Sequence, residues 1–284
     1  MSPSRGDSFR AKTLPERIAE ALPSGGAMGT IRQRLKPLFH RLLAHQGDSF
    51  RSVLPGGEVV LVSPAHRHIT WNADEYTAFR MAVKPGDVVL EAGANVGAYT
   101  LLFGQWVGVG GRVFAFEPDP SAFEGLERHL SINNVSEQVT AVAAAVTDGQ
   151  TGHMRLVLGE SSGISRMASA VDGSASQVVD VPALSIDAFC AKHRLTPQVI
   201  KIDVEGAELG VLRGARATIA RGGPDLHVFV EMHPQLWPAL GYSADELQRE
   251  CEVQHLSAEM LDGTRDDDLW TTEGVCLRLR PHAI

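Results

Sequence analysis

Two groups of residues in this 284-residue chain have the types and the spacing that chemistry requires. In the first group, Glu91 ends an apolar strand, and Gly93, Asn95 and Gly97 follow in a turn that leads into a helix. Glu117 ends the next apolar strand along the chain. In open α/β sheets, ligands bind at the carboxyl ends of the strands, where an acidic side chain can accept hydrogen bonds from the two hydroxyls of a ribose. The pattern therefore predicts a site for a cofactor that contains a nucleoside.

The spacing of the glycines indicates which cofactor this is. A dinucleotide-binding loop has the spacing G-x-G-x-x-G, and its second glycine lets a pyrophosphate approach the backbone. Asn95 occupies that second position, so NAD and a nicotinamide-dependent oxidoreductase are disfavoured. S-adenosyl-L-methionine carries no phosphate, and its methionine head, sulfonium and ribose suit Glu91, Asn95 and Glu117. We therefore expect S-adenosylmethionine as the cofactor, with Ala94 and Pro118 as neighbouring binding residues.

The second group of residues follows two later apolar strands. Asp203 comes directly after the strand predicted at 199–202, and the strand at 227–231 ends in Glu231, with His233 two residues further on. If the two strands lie side by side, the three side chains converge near the sulfonium. Because the pKa of an unperturbed histidine is about 6.5, His233 is the first choice for a general base. Glu231 or Asp203 then orients the imidazole or takes the proton directly.

Other interpretations of the same residues stay open. Asp203, Glu231 and His233 offer oxygen and nitrogen donors that suit a divalent metal ion, which would lower the pKa of an acceptor hydroxyl. Three ligands are too few to establish such a site, and the main prediction contains no metal. Asp203 is also suited to N-cap the following helix. Glu205 and Glu208, in the first turn of a helix opening at about Glu205, would favour its macrodipole.

The elements that must position these residues alternate from Asp87 onward in the βα manner of a parallel sheet. The predicted strands are 88–91, 113–116, 140–146, 199–202 and 227–231, followed by an antiparallel closing pair at 253–257 and 274–279. The predicted helices are 98–106, 121–133, 207–220 and 244–251.

Three further segments stand apart from this alternation. Residues 1–50 are predicted to be an N-terminal helical extension, with helices near 13–22 and 31–44, in front of one domain at 51–284. A hairpin at 53–62 and a helix at 73–83 open that domain. Residues 151–182 occupy the place of a crossover but lack helical periodicity, so they form either a flap over the substrate or a plain surface excursion.

Composition limits the partners and the compartment. The net charge of -8 lies in the body of the chain, since residues 1–51 carry nine Lys and Arg against four Asp and Glu. An acidic body disfavours nucleic acid as a partner. The three scattered cysteines predict reduced core thiols, and no apolar run predicts a signal peptide or a spanning helix, so we expect a cytoplasmic protein. A cationic amphipathic stretch from Ile31 to His45 predicts either docking on the protein itself or weak membrane contact.

Four pieces of the chain, in this order and spacing, resemble the FkbM family of S-adenosylmethionine-dependent methyltransferases over roughly residues 70–240. They are Lys84-Pro-Gly-Asp-Val-Val-Leu-Glu-Ala-Gly-Ala-Asn-Val-Gly97, Phe116-Glu-Pro-Asp-Pro120, Ile200-Lys-Ile-Asp-Val-Glu-Gly-Ala-Glu208 with Val211-Leu-Arg-Gly214, and Glu231-Met-His-Pro234. The chain departs from the family at Glu91, where the family more often has Asp.

The resemblance implies a class I methyltransferase fold, which is Rossmann-like: a seven-stranded, mostly parallel sheet with helices on both faces. It also implies transfer of a methyl group to a hydroxyl, often on a sugar of a glycan, a glycolipid or a natural product. Gly93, Asn95 and Gly97 would line the methionine portion of the cofactor, Glu117 the ribose, and Asp203 the site of methyl transfer. A catalytically silent protein that binds the methyl donor stays the alternative, ahead of an oxidoreductase.

Overall fold

Residues 8–9, 49–150, 152–158, 166–167, 178–265 and 267–282 are described by the computed structural model. The chain divides into two units, Met1–Asn72 and Ala73–Ile284. The helices predicted near 13–22 and 31–44, and the stretch from Ile31 to His45, lie outside the described residues. The domain boundary at residue 50 stays a prediction.

The first unit is built from short antiparallel strand pairs. Its strands are β1 (Ser8–Phe9), β2 (Phe50–Val53), β3 (Val59–Val62) and β4 (Trp71–Asn72), with a 3-10 helix at Pro64–His66. β2 pairs with β3, and β1 pairs with β4. The turn between β2 and β3 contains Gly57 at φ 92°, a left-handed conformation that glycine adopts without steric cost. The predicted hairpin is therefore confirmed.

The second unit contains eleven described strands. They are β5 (Val88–Ala92), β6 (Arg112–Phe116), β7 (Val139–Val142), β8 (Ala145–Val146), β9 (His153–Val157), β10 (Arg166–Met167), β11 (Val178–Leu184), β12 (Val199–Ile202), β13 (His227–Glu231), β14 (Leu256–Met260) and β15 (Cys276–Pro281). Seven of them form a sheet in the order β14-β15-β13-β12-β5-β6-β7. β13, β12, β5, β6 and β7 are parallel to one another, whereas β15 runs antiparallel to both β13 and β14. This is the mostly parallel sheet with an antiparallel closing pair that the sequence predicts.

Helices cover both faces of this sheet. They are α1 (Ala73–Ala82), α2 (Thr100–Val107), α3 (Pro120–Ile132), α4 (Ile186–His193), α5 (Glu208–Arg213), α6 (Arg216–Gly222), α7 (Trp237–Leu240) and α8 (Ala244–Val253), with 3-10 helices at Gly223–Asp225 and Asp267–Trp270. On one face, Leu90 of β5 shares a buried cluster with Phe189 of α4. On the other face, the ring of Phe79 in α1 lies 4.8 Å from that of Phe229 in β13. The α/β architecture with helices on both faces is thus confirmed.

Side-chain caps define where several helices begin. The carboxylate of Asp119 accepts a hydrogen bond of 2.8 Å from the backbone N–H of Ser121, and Pro120 occupies the first position of α3. Proline suits this position because the N–H that it lacks has no partner within the helix. Ser185 and Ser243 cap α4 and α8 in the same way, and such a cap contributes about 1 kcal/mol.

The structure differs from the sequence prediction in one strand and one helix that are divided and in two helices that are not predicted. The strand predicted at 140–146 is two strands, because β8 leaves the large sheet and joins a second sheet in the order β10-β9-β11-β8. The helix predicted at 207–220 is divided into α5 and α6. At the break, a Cβ on Gly214 would lie 2.1 Å from the carbonyl oxygen of Thr147, so the chain passes too close for a side chain. The sequence predicts neither α4 nor α7.

The cysteines follow the prediction: Cys190, Cys251 and Cys276 are buried and form no disulfide. Within the described ranges, every helix is too short or too polar to cross a membrane.

Two glycines with similar backbone angles test what the loop after β5 requires. Gly93 has φ 82°, and a Cβ there would lie 1.7 Å from the carbonyl oxygen of Asp203. Gly86 has φ 92°, and a Cβ there would meet nothing within 4 Å. We expect Gly86→Ala to lower the free energy of unfolding by about 1 kcal/mol through backbone strain alone. We expect Gly93→Ala to lose the same free energy through strain and about 1–3 kcal/mol more, because its new methyl group overpacks the loop against Asp203.

Urea denaturation of both variants measures the difference. Equal losses in the two proteins would contradict the close approach of the loop to Asp203.

Candidate functional site

A cavity opens where β5, β6 and β12 end. It encloses about 730 Å³, open space at its mouth included. Three kinds of surface line it: the glycine turn after β5, an apolar wall, and acidic side chains. The lining residues are Gly93, Asn95, Phe116, Glu117, Pro118, Asp119, Ala122, Ala144, Ala145, Val146, Met154, Leu156, Asp203, Val204, Glu205 and Ala207. No Lys or Arg is among them.

The carboxylate of Glu117 is held by the backbone on either side of the cavity. One oxygen accepts a hydrogen bond of 2.7 Å from the N–H of Asn95, and the other accepts one of 2.8 Å from the N–H of Asp119. Asn95 has φ 49°, and asparagine tolerates this left-handed conformation better than most residues do. Each carboxylate oxygen has further acceptor capacity, so Glu117 can still receive hydroxyl donors from the cavity.

The predicted cofactor residues fall into two sets. Gly93, Asn95, Glu117, Pro118 and Asp203 line the cavity. Glu91, Ala94 and Gly97 lie outside this lining.

These three residues have contacts that build the loop. Glu91 is 1% exposed and accepts a hydrogen bond of 2.5 Å from the hydroxyl of Thr100. The N–H of Ala94 donates to the carbonyl of Phe116. A Cβ on Gly97 would lie 2.7 Å from Cδ1 of Leu126 in α3, so Gly97 lets that helix pack closely. These three residues therefore stabilise the loop and its packing without lining the cavity.

The segment 151–182 contributes to the apolar wall. Its strands β9 and β11 pair antiparallel, and Met154 and Leu156 of β9 line the cavity together with Phe116 and Ala144. The loop of residues 159–165, within the segment considered as a flap, lies outside the described residues. Within the described part of the segment, β9 therefore contributes to a wall of the cavity.

The three predicted catalytic residues converge. β12 and β13 pair in parallel with Ile202 opposite Val230, so Asp203 and Glu231 leave the sheet side by side. One ligand atom from each of Asp203, Glu231 and His233 lies within 4.8 Å of the others.

Glu205 completes this group. Nε2 of His233 lies 3.9 Å from Oδ1 of Asp203, 3.9 Å from Oε1 of Glu231 and 3.8 Å from Oε2 of Glu205. We call these four residues the acid–imidazole cluster. Because Asp203 and Glu205 also line the cavity, the cluster adjoins the space where a cofactor and an acceptor would meet.

Glu208 orients the imidazole, a role that the sequence analysis missed. Its fully buried carboxylate accepts hydrogen bonds of 2.7 Å from Nε1 of Trp237 and of 3.0 Å from the N–H of Gly206. It also lies 2.7 Å from Nδ1 of His233. The helix begins at Glu208 with Ala207 at its N-cap position, so Asp203 does not cap it, and Glu205 lies before it at φ 44°. The sequence feature that could have indicated this role of Glu208 is the position of an acid directly before the apolar run of α5.

Lys201 was also missed. It is 3% exposed in the middle of β12, and its ammonium donates a hydrogen bond of 2.9 Å to Oδ2 of Asp203. The ammonium lies 4.0 Å from Oε1 of Glu91 and 5.5 Å from the centre of the Tyr99 ring. A lysine inside an otherwise apolar strand is the signal that would have found it, because an ionised group is rarely buried without partners.

These contacts determine which groups carry protons. Burial lowers the pKa of His233, but the hydrogen bond and charge of Glu208 and the charge of Asp203 outweigh it and raise the pKa to about 9. The negative charge of Asp203, followed by burial, raises the pKa of Glu231 to about 8. Burial works to raise the pKa of Asp203, yet Lys201 and then His233 hold it below its usual value. At neutral pH, Asp203 is ionised and His233 holds its proton.

Burial is the main cause of the raised pKa values of Glu117 and Glu91, the two acids nearer the glycine turn. Burial raises the pKa of Glu117 to about 7 against the backbone hydrogen bonds from Asp119 and Asn95. Burial likewise raises the pKa of Glu91 to about 7 against the charge of Lys201. A positive charge brought into the site would therefore lower the pKa of both acids.

Comparison with known proteins finds one family model and several solved structures that are similar to this chain. A family model described as the methyltransferase FkbM domain matches residues 91–255. No curated protein matches the chain.

The chain is similar to three solved structures at low sequence identity. A methyltransferase FkbM from Methylobacillus flagellatus is 19% identical, with 72% of this chain and 50% of that chain covered and a TM-score of 0.43. A SAM-dependent O-methyltransferase from Thermotoga maritima is 13% identical, with 86% and 82% covered and a TM-score of 0.47. An rRNA methylase from Streptococcus thermophilus is 10% identical, with 74% and 95% covered and a TM-score of 0.42.

The contact between Glu208 and His233 makes stability depend on pH. Because the pKa of His233 is raised to about 9 from 6.5, its stabilising effect is fully present below about pH 6.5 and is lost as the pH rises through 9. Glu208→Gln removes the charge that raises this pKa. We expect its loss of unfolding free energy to be largest at pH 6 and to shrink towards pH 9, as measured by urea denaturation with a chelator present.

Glu250→Gln is the matched control for this experiment. Glu250 is also a buried acid, but its partners Arg213 and Arg216 do not titrate between pH 6 and 9. Its loss of stability is expected to stay constant over that range. The same constancy in Glu208→Gln would show that His233 does not titrate as described.

Proposed function

Because the chain belongs to the FkbM methyltransferase family, we propose that it is an S-adenosylmethionine-dependent O-methyltransferase whose acceptor is a hydroxyl of a small molecule or a sugar. The observation that carries this proposal is the position of the acid–imidazole cluster at the edge of a cavity that also contains the carboxylate of Glu117.

The chemistry of the lining fits this cofactor. The apolar wall formed by Phe116, Met154 and Leu156 suits the adenine ring. Glu117 can accept hydrogen bonds from the ribose hydroxyls, and the acidic side chains of Asp203 and Glu205 favour the positive charge of the sulfonium. Without a Lys or Arg among the lining residues, a pyrophosphate would meet no basic side chain there, which argues against NAD.

S-adenosylmethionine, when bound, supplies an electrophilic methyl group on a positively charged sulfur. The protein has to orient an acceptor oxygen towards that methyl group and to remove the hydroxyl proton. Orientation contributes up to about 7–11 kcal/mol in well-ordered model systems. We assign proton removal to Asp203 rather than to His233, since Asp203 is ionised at neutral pH and His233 is protonated. His233 and Lys201 then position Asp203.

Charge and cysteine chemistry support the proposed acceptor class and compartment. A net charge of -8 and an acidic cavity favour a neutral or cationic small acceptor over nucleic acid, whose phosphates would be repelled. The buried, unpaired cysteines agree with a cytoplasmic location.

Titration calorimetry tests the choice of cofactor. We expect S-adenosylmethionine and S-adenosylhomocysteine to bind and NAD not to bind. Binding of NAD alone would replace the proposal with an oxidoreductase. Binding of the methyl donor with no turnover on any hydroxylated acceptor would favour the silent binding protein.

Two isosteric variants separate cofactor binding from catalysis. Glu117→Gln removes the charge that the ribose hydroxyls meet, and we expect the Kd for S-adenosylhomocysteine to rise about tenfold, which corresponds to 1.4 kcal/mol. Asp203→Asn removes the proton acceptor, and we expect kcat to fall by about two to four orders of magnitude. Calorimetry and initial rates measure the two effects.

Glu124→Gln, an exposed acid on α3, is the control and is expected to change neither quantity. If kcat is unchanged in Asp203→Asn, Asp203 is not the group that accepts the hydroxyl proton.

The pH dependence of kcat distinguishes Asp203 from His233. The pKa of Asp203 is lowered below its usual value, so kcat limited by this carboxylate is expected to be level from pH 6 to 9. The pKa of His233 is raised to about 9, so kcat limited by a neutral imidazole would rise steadily up to that pH. A rising profile would return the role of base to His233.

A further inference from the structure

We infer that the acid–imidazole cluster binds one divalent metal ion, of the Mg²⁺ or Mn²⁺ class, through Asp203, Glu231 and His233. Only the role of the ion, which would act on the acceptor hydroxyl, rests on the proposed function. The binding itself stands on the geometry of the cluster.

The orientation of His233 carries the first step of the argument. The residue is 6% exposed, and its Nδ1 lies 2.7 Å from Glu208, a carboxylate with no exposed surface. Histidines that bind metals commonly donate their other ring N–H to a carboxylate, which fixes the orientation of the ring. Here that arrangement leaves Nε2 directed at the carboxylates of the cluster, and an ion that binds there would displace the Nε2 proton that His233 holds at neutral pH.

The distances around Nε2 carry the second step. Three carboxylate oxygens lie 3.8–3.9 Å from it, which is too far for a hydrogen bond. Ligand atoms about 2.1–2.4 Å from a shared ion lie about 3–4 Å from one another. The nitrogen and the oxygens are thus spaced as ligands around an ion.

The environment of Asp203 carries the third step. Lys201 donates to Oδ2 of Asp203, while Oδ1 faces His233. The lysine therefore holds one oxygen and leaves the other turned towards the cluster. Glu205 is close enough to serve as a fourth ligand or to bind a metal-bound water.

The ligand types indicate the class of ion. Carboxylate oxygens, which are the majority of the ligands here, suit Mg²⁺, Ca²⁺ and Mn²⁺, and no thiolate is among these ligands to select a softer ion. A divalent ion here would act as a Lewis acid and lower the pKa of the acceptor hydroxyl.

Manganese binding by the full chain tests the inference directly. The protein is stripped with EDTA, dialysed and titrated with Mn²⁺ alone, and free Mn²⁺ is followed by electron paramagnetic resonance. We expect one saturable site per chain. Glu231→Gln and His233→Gln are each expected to weaken binding at least tenfold, and Glu208→Gln by about 10–100-fold through loss of ring orientation.

The exposed pair of His153 and Asp180, 3.2 Å apart, is the matched control, and His153→Gln is expected to leave Mn²⁺ binding unchanged. Wild-type protein without a saturable site would overturn the inference, and so would a site that the control variant abolishes. Since the wild-type titration needs no variant, misfolding of a variant cannot hide this result; circular dichroism checks each variant.

Binding of S-adenosylhomocysteine in EDTA separates this inference from the proposed function. If the nucleoside binds and Mn²⁺ does not, the metal site is wrong and the proposed function stands. If Mn²⁺ binds and the nucleoside does not, the metal site stands and the proposed function fails.

Discussion

The parallel pairing of β12 with β5 on one side and β13 on the other is the constraint on which the site depends. The register places Ile202 beside Ala92 and Val230, so the three strands end at the same edge of the sheet. The fit at this edge is close enough that only glycine is accommodated at position 93, against the carbonyl of Asp203. The glycine turn and the acid–imidazole cluster thus become neighbours although more than 100 residues separate them in sequence.

Burial of charge is the second constraint. Glu91, Lys201 and Glu208 are almost completely buried, and an ion removed from water is tolerated only when it is paired and hydrogen-bonded. Lys201 and Glu208 meet this requirement through two residues of the acid–imidazole cluster: Lys201 contacts Asp203, and Glu208 contacts His233. The same interactions therefore stabilise the fold and hold Asp203 and His233 in the acid–imidazole cluster.

Several features could be predicted from sequence because local patterns encode them. Apolar runs located the strands of the large sheet, and acids at their ends located Glu117, Asp203 and Glu231. The division of the helix predicted at 207–220 could not be predicted, since it results from close contact of Gly214 with Thr147, which lies on a distant segment. Glu205 and Glu208 were interpreted by helix position alone, because their partners are brought near them only by folding.

The sequence by itself determined the order of elements, the mostly parallel sheet and the residue types available at its edge, since strand and helix periodicity act over a few residues. The tertiary structure decided which of those residues share a cavity. It placed Glu91 behind the turn, made Met154 and Leu156 part of a cavity wall, and set the protonation of Asp203 and His233 through Lys201 and Glu208. The physical reason is that burial and electrostatic interaction depend on distances in space, which the spacing of residues along the chain does not specify.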